Sequence, residues 1–363
     1  MRNSSFLIGV MSGTSLDGID IVLINYKNKS IKIIEFIQIP YKQDMKKKFL
    51  TLHSDQPSDL KKSIELSLLH AKITAKGINQ ILKKLKLEPK NIKCIGYHGQ
   101  TIRHFPDKGY SLQLGNANLL AELTNITVIS DFRNRDIVAG GQGAPLVPAF
   151  HKEFFFKKNK NIAIINIGGI TNITYLRMNK EIIGFDSGPG NILLDHWIYI
   201  NNNKNFDNLG NWAKSGKLID HLLLNFKKEP FFKKKLPKST GRELFNIDWL
   251  NKFNIKKYAP EDVQRTLLEL SAVSINDSIK KYCSKVDEIY ICGGGSQNKF
   301  LIERLESIIN IKINTTDKLN IPSQQVESIA FAWLAEKCLK KEKNNSPSIT
   351  GARGPRILGV IHY

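Results

Sequence analysis

The sequence predicts an α/β protein of two lobes with mixed sheets. Apolar strand patterns alternate with helical ones along most of the chain. Two segments, Phe6 to Tyr26 and Asn161 to Leu176, share one pattern of apolar strand, Gly-containing turn and apolar strand. A length of 363 residues with 41% apolar content exceeds one ordinary core and suits two. The opening hairpins add antiparallel pairs to sheets that are otherwise parallel. The boundaries read this way are a first lobe over 1–130, a connecting cleft segment over 131–160, and a second lobe over 161–363. The final helix, 326–341, is free to pack back on the first lobe.

In order, Phe6 to Tyr26 is the first hairpin and Ile31 to Ile39 a third strand. Leu60 to Leu85 carries apolar residues at three-to-four spacing and reads as a long helix ended by Pro89. A strand at Ile92 to Tyr97, a short helix at Ala117 to Leu123 and a strand at Ile126 to Ile129 follow. The stretch from Asp131 to Pro148 is rich in Gly, Arg and Asp without a period, which suits a loop at a cleft. After the second hairpin, Ile182 to Phe185 reads as a strand running through Asp186-Ser187-Gly188-Pro189-Gly190 into a helix at Asn191 to Tyr199. Helices are expected over Asn211 to Leu224 and Pro260 to Tyr282, the second with Pro at its start. A strand at Glu288 to Cys292, a helix at Asn298 to Ile308, a strand at Ile311 to Ile313 and a helix at Val326 to Lys341 complete the pattern.

The formal charge of +21 comes from 54 basic against 33 acidic residues, chiefly scattered Lys among Asn and Ile. Such scatter reads as compositional drift rather than a nucleic-acid face. The dense patch Phe226 to Lys235 interleaves aromatics with Lys, and is expected to turn its Phe inward and its Lys to solvent. Cys94, Cys283, Cys292 and Cys338 have neither disulfide-framework nor zinc spacing. No run approaches a membrane span, and Phe6 to Met11 is too short for a signal core, so a soluble cytoplasmic protein is expected.

Three Gly-rich turns follow apolar strands, at Gly9 to Gly18, Phe185 to Gly190 and Cys292 to Gly295. Together they suit a nucleotide held by bare backbone, although Gly13 to Asp20 also suits an ordinary tight hairpin. Neither GxxxxGK[ST] nor a compact GxGxxG unit is present, which takes most of the support from the P-loop and Rossmann readings. Asp17 offers a hard carboxylate to a hydrated divalent cation. Asp186, at a strand end, fits either a general base or an Asx-turn or cap for the following helix. His98 fits a ligand donor or a structural hydrogen-bonder. Arg133 and Arg135 fit a carboxylate clamp or pairing with Asp131 and Asp136. Glu327 fits a substrate contact or a complement to its helix N-terminus.

These motifs resemble the anhydro-N-acetylmuramic acid kinases, a branch of the sugar-kinase and actin-like ATPase superfamily, over essentially the whole chain. The resemblance rests on Gly9 to Asp20, Tyr97 to Thr101, Asp131 to Arg133, Gly140 to Pro148, Asn166 to Ile170, Gly184 to Asn191, Asp262 to Thr266, Cys292 to Gly295 and Glu327 to Leu334. It implies a two-lobed, ribonuclease H-like fold with an interlobe cleft, and an enzyme using ATP and Mg²⁺. The implied reaction opens 1,6-anhydro-N-acetylmuramic acid with water and phosphorylates O6, in cell-wall recycling. Asp186 is then the base. Gly13, Thr14, Ser15, Leu16, Asp17, Gly18, Ile19 and Asp20, with Gly168, Gly169, Gly293, Gly294 and Gly295, are the expected ATP residues. His98, Arg133 and Glu327 are expected at the sugar, and Asp17 at Mg²⁺ through water. A homodimer is common in such enzymes, and neither nucleic acid nor membrane is an expected partner. Ser187 stands where many relatives have Thr, and the Lys-rich loops 157–160 and 226–238 are expected to touch no motif.

Overall fold

The computed structural model describes residues 5–13, 15–53, 59–178 and 180–363, so Thr14 lies outside the described residues. The chain divides into two compact units, Met1–Phe150 with Gln325–Tyr363, and His151–Gln324. Its strands are β1 (Phe6–Ser12), β2 (Gly18–Lys27), β3 (Ser30–Pro40), β4 (Ile92–Phe105), β5 (Tyr110–Leu114), β6 (Val128–Ser130), β7 (Ile162–Ile167), β8 (Ile170–Leu176), β9 (Ile183–Pro189), β10 (Glu288–Cys292), β11 (Ile313–Thr315) and β12 (Val360–His362).

In the first unit the strand order is β12-β6-β4-β1-β2-β3, with β5 paired to β4; in the second it is β11-β10-β7-β8-β9. Each sheet joins an antiparallel meander to two strands parallel with its first member: β1-β2-β3 with β4 and β6, and β7-β8-β9 with β10 and β11. The echo expected from two hairpins is thus an echo of whole-sheet topology. The mixed α/β class read from the sequence holds.

The helices include α1 (Gln43–His53), α2 (Leu60–Leu85), α3 (Ala117–Thr124), α4 (Asn134–Ile137), α5 (Pro148–Phe155) and α6 (Ile192–Asn202). Further along come α7 (Asn211–Ser215), α8 (Asp220–Phe226), α9 (Ile247–Asn251), α10 (Pro260–Tyr282), α11 (Lys299–Ile309), α12 (Val326–Leu339) and α13 (Pro347–Thr350). α2 starts where the Asp59 carboxylate accepts the Lys62 N–H at 3.1 Å and stops at Lys86 in the left-handed region. Its buried stripe, from Leu66 through Ala75 to Leu82, joins β1, β2 and β4 in one core. The second unit packs Ile165, Phe185, Trp249, Leu267 and Ile291 in its own.

α12 lies on β1 and β4 because two register partners there are glycines, Gly9 and Gly96. A Cβ on Gly9 would come within 1.8 Å of the Ser328 carbonyl oxygen, and one on Gly96 within 2.1 Å of that of Phe331. Only bare backbone admits so close a helix. This contact fixes the first turn of α12, and with it Glu327.

Several expectations need correction. The first boundary falls after Phe150, inside the expected connecting segment 131–160; the final helix does pack back on the first unit, but the tail after it goes with it rather than with the expected second lobe over 161–363. The tail is bound there by polar contacts: Asn345 Nδ2 and Thr350 Oγ1 each donate to Asp136 Oδ1 at 2.9 Å, and β12 pairs with β6. The expected helix over 211–224 is broken at Gly216, where the Lys217 N–H turns to the Asp262 carboxylate at 2.7 Å. β4 runs on past Tyr97 to Phe105 because its polar half pairs with β5. α1 and α5 were not legible from periodicity, nor were the short α4 and β12. Phe226 and Phe231 are buried while Lys233, Lys234 and Lys235 are exposed, as expected for that patch. All four cysteines are buried and free of disulfides. No helix among the described residues is long and apolar enough to cross a membrane.

Candidate active site

In the first unit the turn between β1 and β2 is tied down from below. Leu16 takes φ 58°, an uncommon conformation for a branched residue, and its N–H donates to the Gly13 carbonyl at 3.3 Å. Gln100 Nε2 donates to the same carbonyl at 3.1 Å, while Gln100 Oε1 accepts from the Tyr41 hydroxyl at 3.2 Å. The Tyr41 N–H in turn donates to the Asp17 carbonyl at 3.0 Å. Ser12 Oγ shares a 2.9 Å hydrogen bond with His70 Nε2, and His70 Nδ1 lies 2.6 Å from the Tyr97 hydroxyl. Burial pushes the His70 imidazole down to about 3, so the ring is neutral and acts as a fixed strut.

Asp20, on β2, is held up at about 7, first by burial and then by Asp17, with a smaller push from Glu327; a hydrogen bond from Gln38 at 3.0 Å opposes the rise. Three carboxylates therefore share one electrostatic neighbourhood in this unit. No group of three or more His, Cys, Asp or Glu among the described residues is arranged to hold a metal ion directly. Asp17 with Asp20 fits a hydrated Mg²⁺, which keeps most of its waters and takes one or two carboxylates.

His98 sits inside β4 rather than after a strand. Its Nδ1 lies 2.7 Å from the Gly99 carbonyl, and its Nε2 accepts from Arg133 Nε at 3.1 Å and Nη2 at 2.9 Å. Burial, then the neighbouring guanidinium, holds the imidazole well below its usual range, so the ring is neutral, and the Arg133 donors on Nε2 leave its proton on Nδ1, facing the Gly99 carbonyl. Arg133 Nη1 donates to the Gly143 carbonyl at 2.7 Å. The flanking acids are taken elsewhere: Asp131 accepts from Asn134, while Asp136 accepts from the Gly143 N–H as well as from the tail. The Gly-rich loop is thus folded around Asp136 so as to aim Arg133. Glu327 opens α12.

In the second unit Asp186 lies within β9, opposite Asn172 of β8, and not in a turn. Asn191, not Asp186, occupies the cap position of α6, which excludes the capping alternative. The Asp186 side chain is 7% exposed, and its Oδ2 accepts the Thr240 N–H at 2.9 Å. Its own N–H donates to the Lys238 carbonyl at 3.2 Å. Lys238 ends the loop 226–238 that is expected to touch no motif; instead it and Thr240 just beyond it hold Asp186. Pro237 to Gly241 carries no periodicity, so only the fold could reveal it.

The Gly168 and Gly169 carbonyls accept N–H groups of Gly190, Asn191 and Ile192 at 2.9 to 3.1 Å, tying β7 and β8 to the start of α6. Gly293 and Gly295 pack on the end of β7, where a Cβ would meet Asn166 Oδ1 at 2.4 Å or the Ile167 side chain at 2.2 Å. Gly294 has no such neighbour within 3.8 Å, its nearest being Asn191 Nδ2 at 3.9 Å. In the motif Asp262 to Thr266, Arg265 pairs with Glu269 at 2.7 Å, and Arg304 closes the ion cluster at 3.0 Å. Glu269 thus ties α10 to α11, and Arg265 of the motif supports it from within α10 and lies 5.1 Å from the Phe300 ring of α11.

A family model of anhydro-N-acetylmuramic acid kinase matches residues 5–363. The chain is 45% identical over 360 residues to the anhydro-N-acetylmuramic acid kinase of Pseudomonas syringae pv. tomato, covering 98% of this chain and 99% of that one. It is 46% identical to that of Nitrosomonas europaea, again over 360 residues and with 98% and 99% covered. Among solved structures it is similar to the ADPNP-bound activator of 2-hydroxyisocaproyl-CoA dehydratase from Clostridium difficile, with TM-score 0.48 and 13% identity over 94% of this chain and 99% of that one. With the model match running from β1 to the last residue and these relatives matched over nearly their full length, the chain belongs to the anhydro-N-acetylmuramic acid kinase family.

Proposed function

We propose that this protein is an ATP-dependent kinase that converts 1,6-anhydro-N-acetylmuramic acid and water to N-acetylmuramic acid 6-phosphate, releasing ADP, in cytoplasmic recycling of cell-wall sugars. The observation that carries the chemistry is Asp186, a buried carboxylate held by the Thr240 amide on a rigid strand. In this reading Asp186 takes a proton from water as the water oxygen bonds to the anomeric carbon and the bond from that carbon to O6 breaks. The O6 oxygen so released bonds to the γ-phosphorus as the bond to the ADP oxygen breaks, a step that needs chiefly positioning and charge neutralisation.

Arg133, aimed by His98 and Gly143, takes the lactyl carboxylate of the sugar, and Glu327 a sugar hydroxyl. His98 acts on the sugar through Arg133, since both its ring nitrogens are engaged. The turn at residues 13–20 receives the phosphates of ATP, helped by Gly168 and Gly169, while Gly293, Gly294 and Gly295 border the adenosine. Asp17 and Asp20 would hold Mg²⁺ through water, and the ion would offset phosphate charge.

A coupled assay for ADP tests the reading. Release is expected only when the anhydro-sugar is present; release of equal size with a simple hexose, or without any sugar, overturns it.

A further inference from the structure

We infer that Lys238 is a positioning residue for Asp186, anchoring a three-residue strap that sets the angle of its carboxylate. This deepens the reading above and rests on Asp186 being the base. The strap grips Asp186 at two atoms: the Lys238 carbonyl accepts its N–H at 3.2 Å, and the Thr240 N–H donates to Oδ2 at 2.9 Å. A carboxylate fixed by its own backbone and by a second segment keeps its geometry only if that segment is itself fixed.

The anchor is the Lys238 side chain. The residue is 5% exposed, and its ammonium lies 4.7 Å from the Phe231 ring centroid, 5.8 Å from that of Tyr282 and 6.0 Å from that of Phe185. Phe185 precedes Asp186 on β9, so one aromatic wall of this cage and the carboxylate are consecutive residues. Three faces around one cation are a recognised way to retain a charge in a partly desolvated place. The cage adjoins a cavity of about 70 Å³, lined also by Lys227, Asp277 and Lys281. Lys227 is paired with Asp277 at 3.0 Å, which leaves the facing charges on Lys238 as Lys281 and Asp186.

Burial first, then Lys281, lowers the Lys238 amine to about 8, while Asp186 pulls the other way. That attraction is mutual. The ammonium favours ionised Asp186, the form a base requires. Lys238 therefore supplies both a mechanical anchor and a field.

The test compares Lys238→Met, which keeps the length and loses the charge, with Lys238→Arg, which keeps charge and ring contacts. In Lys238→Met, kcat should fall about 10-fold or more, with KM for ATP and sugar nearly unchanged. The acidic limb of its kcat profile should move to higher pH, and Lys238→Arg should restore most of the rate and the limb. Thermal unfolding and ATP-analogue binding report whether each variant is folded; if Lys238→Met is not, Phe231→Leu, which removes one wall of the cage, should give a smaller loss and shift of the same sign. An unshifted limb with unchanged kcat in a folded variant overturns the inference alone. An active Asp186→Asn enzyme overturns the underlying reading instead.

Discussion

The Arg133 guanidinium rests on His98 Nε2 through two N–H donors, at 2.9 and 3.1 Å. Because His98 is buried beside that cation, its imidazole stays neutral and remains an acceptor throughout the working pH range. Replacing His98 with Ala should raise the sugar KM about 10-fold, the size expected for loosening a charge-assisted contact, with little change in ATP KM. Arg133→Ala should cost more, and the double variant should cost no more than Arg133→Ala, since the histidine acts through the arginine. Steady-state kinetics on the three variants checks this, and additive losses would contradict it.

Asp20 gives a second test, through stability. The unfolded chain releases this proton near 3.8, whereas the folded protein keeps it until about 7. Between those values the folded state binds more protons, so this residue's contribution makes stability fall as pH rises through that window. In Asp20→Asn the fall should shrink, leaving the variant a few degrees higher in Tm relative to wild type at pH 8 than at about pH 4, measured without nucleotide or metal. Parallel pH dependence in the two proteins would contradict the assignment.

Gly9 and Gly96 predict a packing effect on the seat of α12. Gly9→Ala puts a methyl into the Ser328 carbonyl, so α12 must lift from β1. The cost should be about 3 kcal/mol, at the upper end for overpacking. It should appear as a lowered Tm with a raised sugar KM, because Glu327 moves with the helix. Gly294→Ala, at a position without a close neighbour, should leave Tm nearly unchanged.

What was legible in the sequence is what periodicity and glycine can carry. The paired hairpins, the long helices 60–85 and 260–282, and the turns after β1 and β10 all announced themselves in one segment at a time. What was missed depends on partners far along the chain. The polar half of β4 looks like a loop until β5 pairs with it, and residues 186–189 look like a turn until β8 does. The tail reads as part of the second lobe until Asp136 binds it, and Lys238 reads as one lysine of a Lys-rich loop until three rings enclose it. Arg133 was named for its charge, but its aim depends on a histidine 35 positions earlier.

The central claim is that Asp186 is the base for water. The most direct measurement is single-turnover formation of N-acetylmuramic acid 6-phosphate by Asp186→Asn, beside ATP-analogue affinity in the same variant. The account predicts a rate lower by at least about 10²-fold with nucleotide affinity retained. A rate within a few-fold of wild type would contradict it.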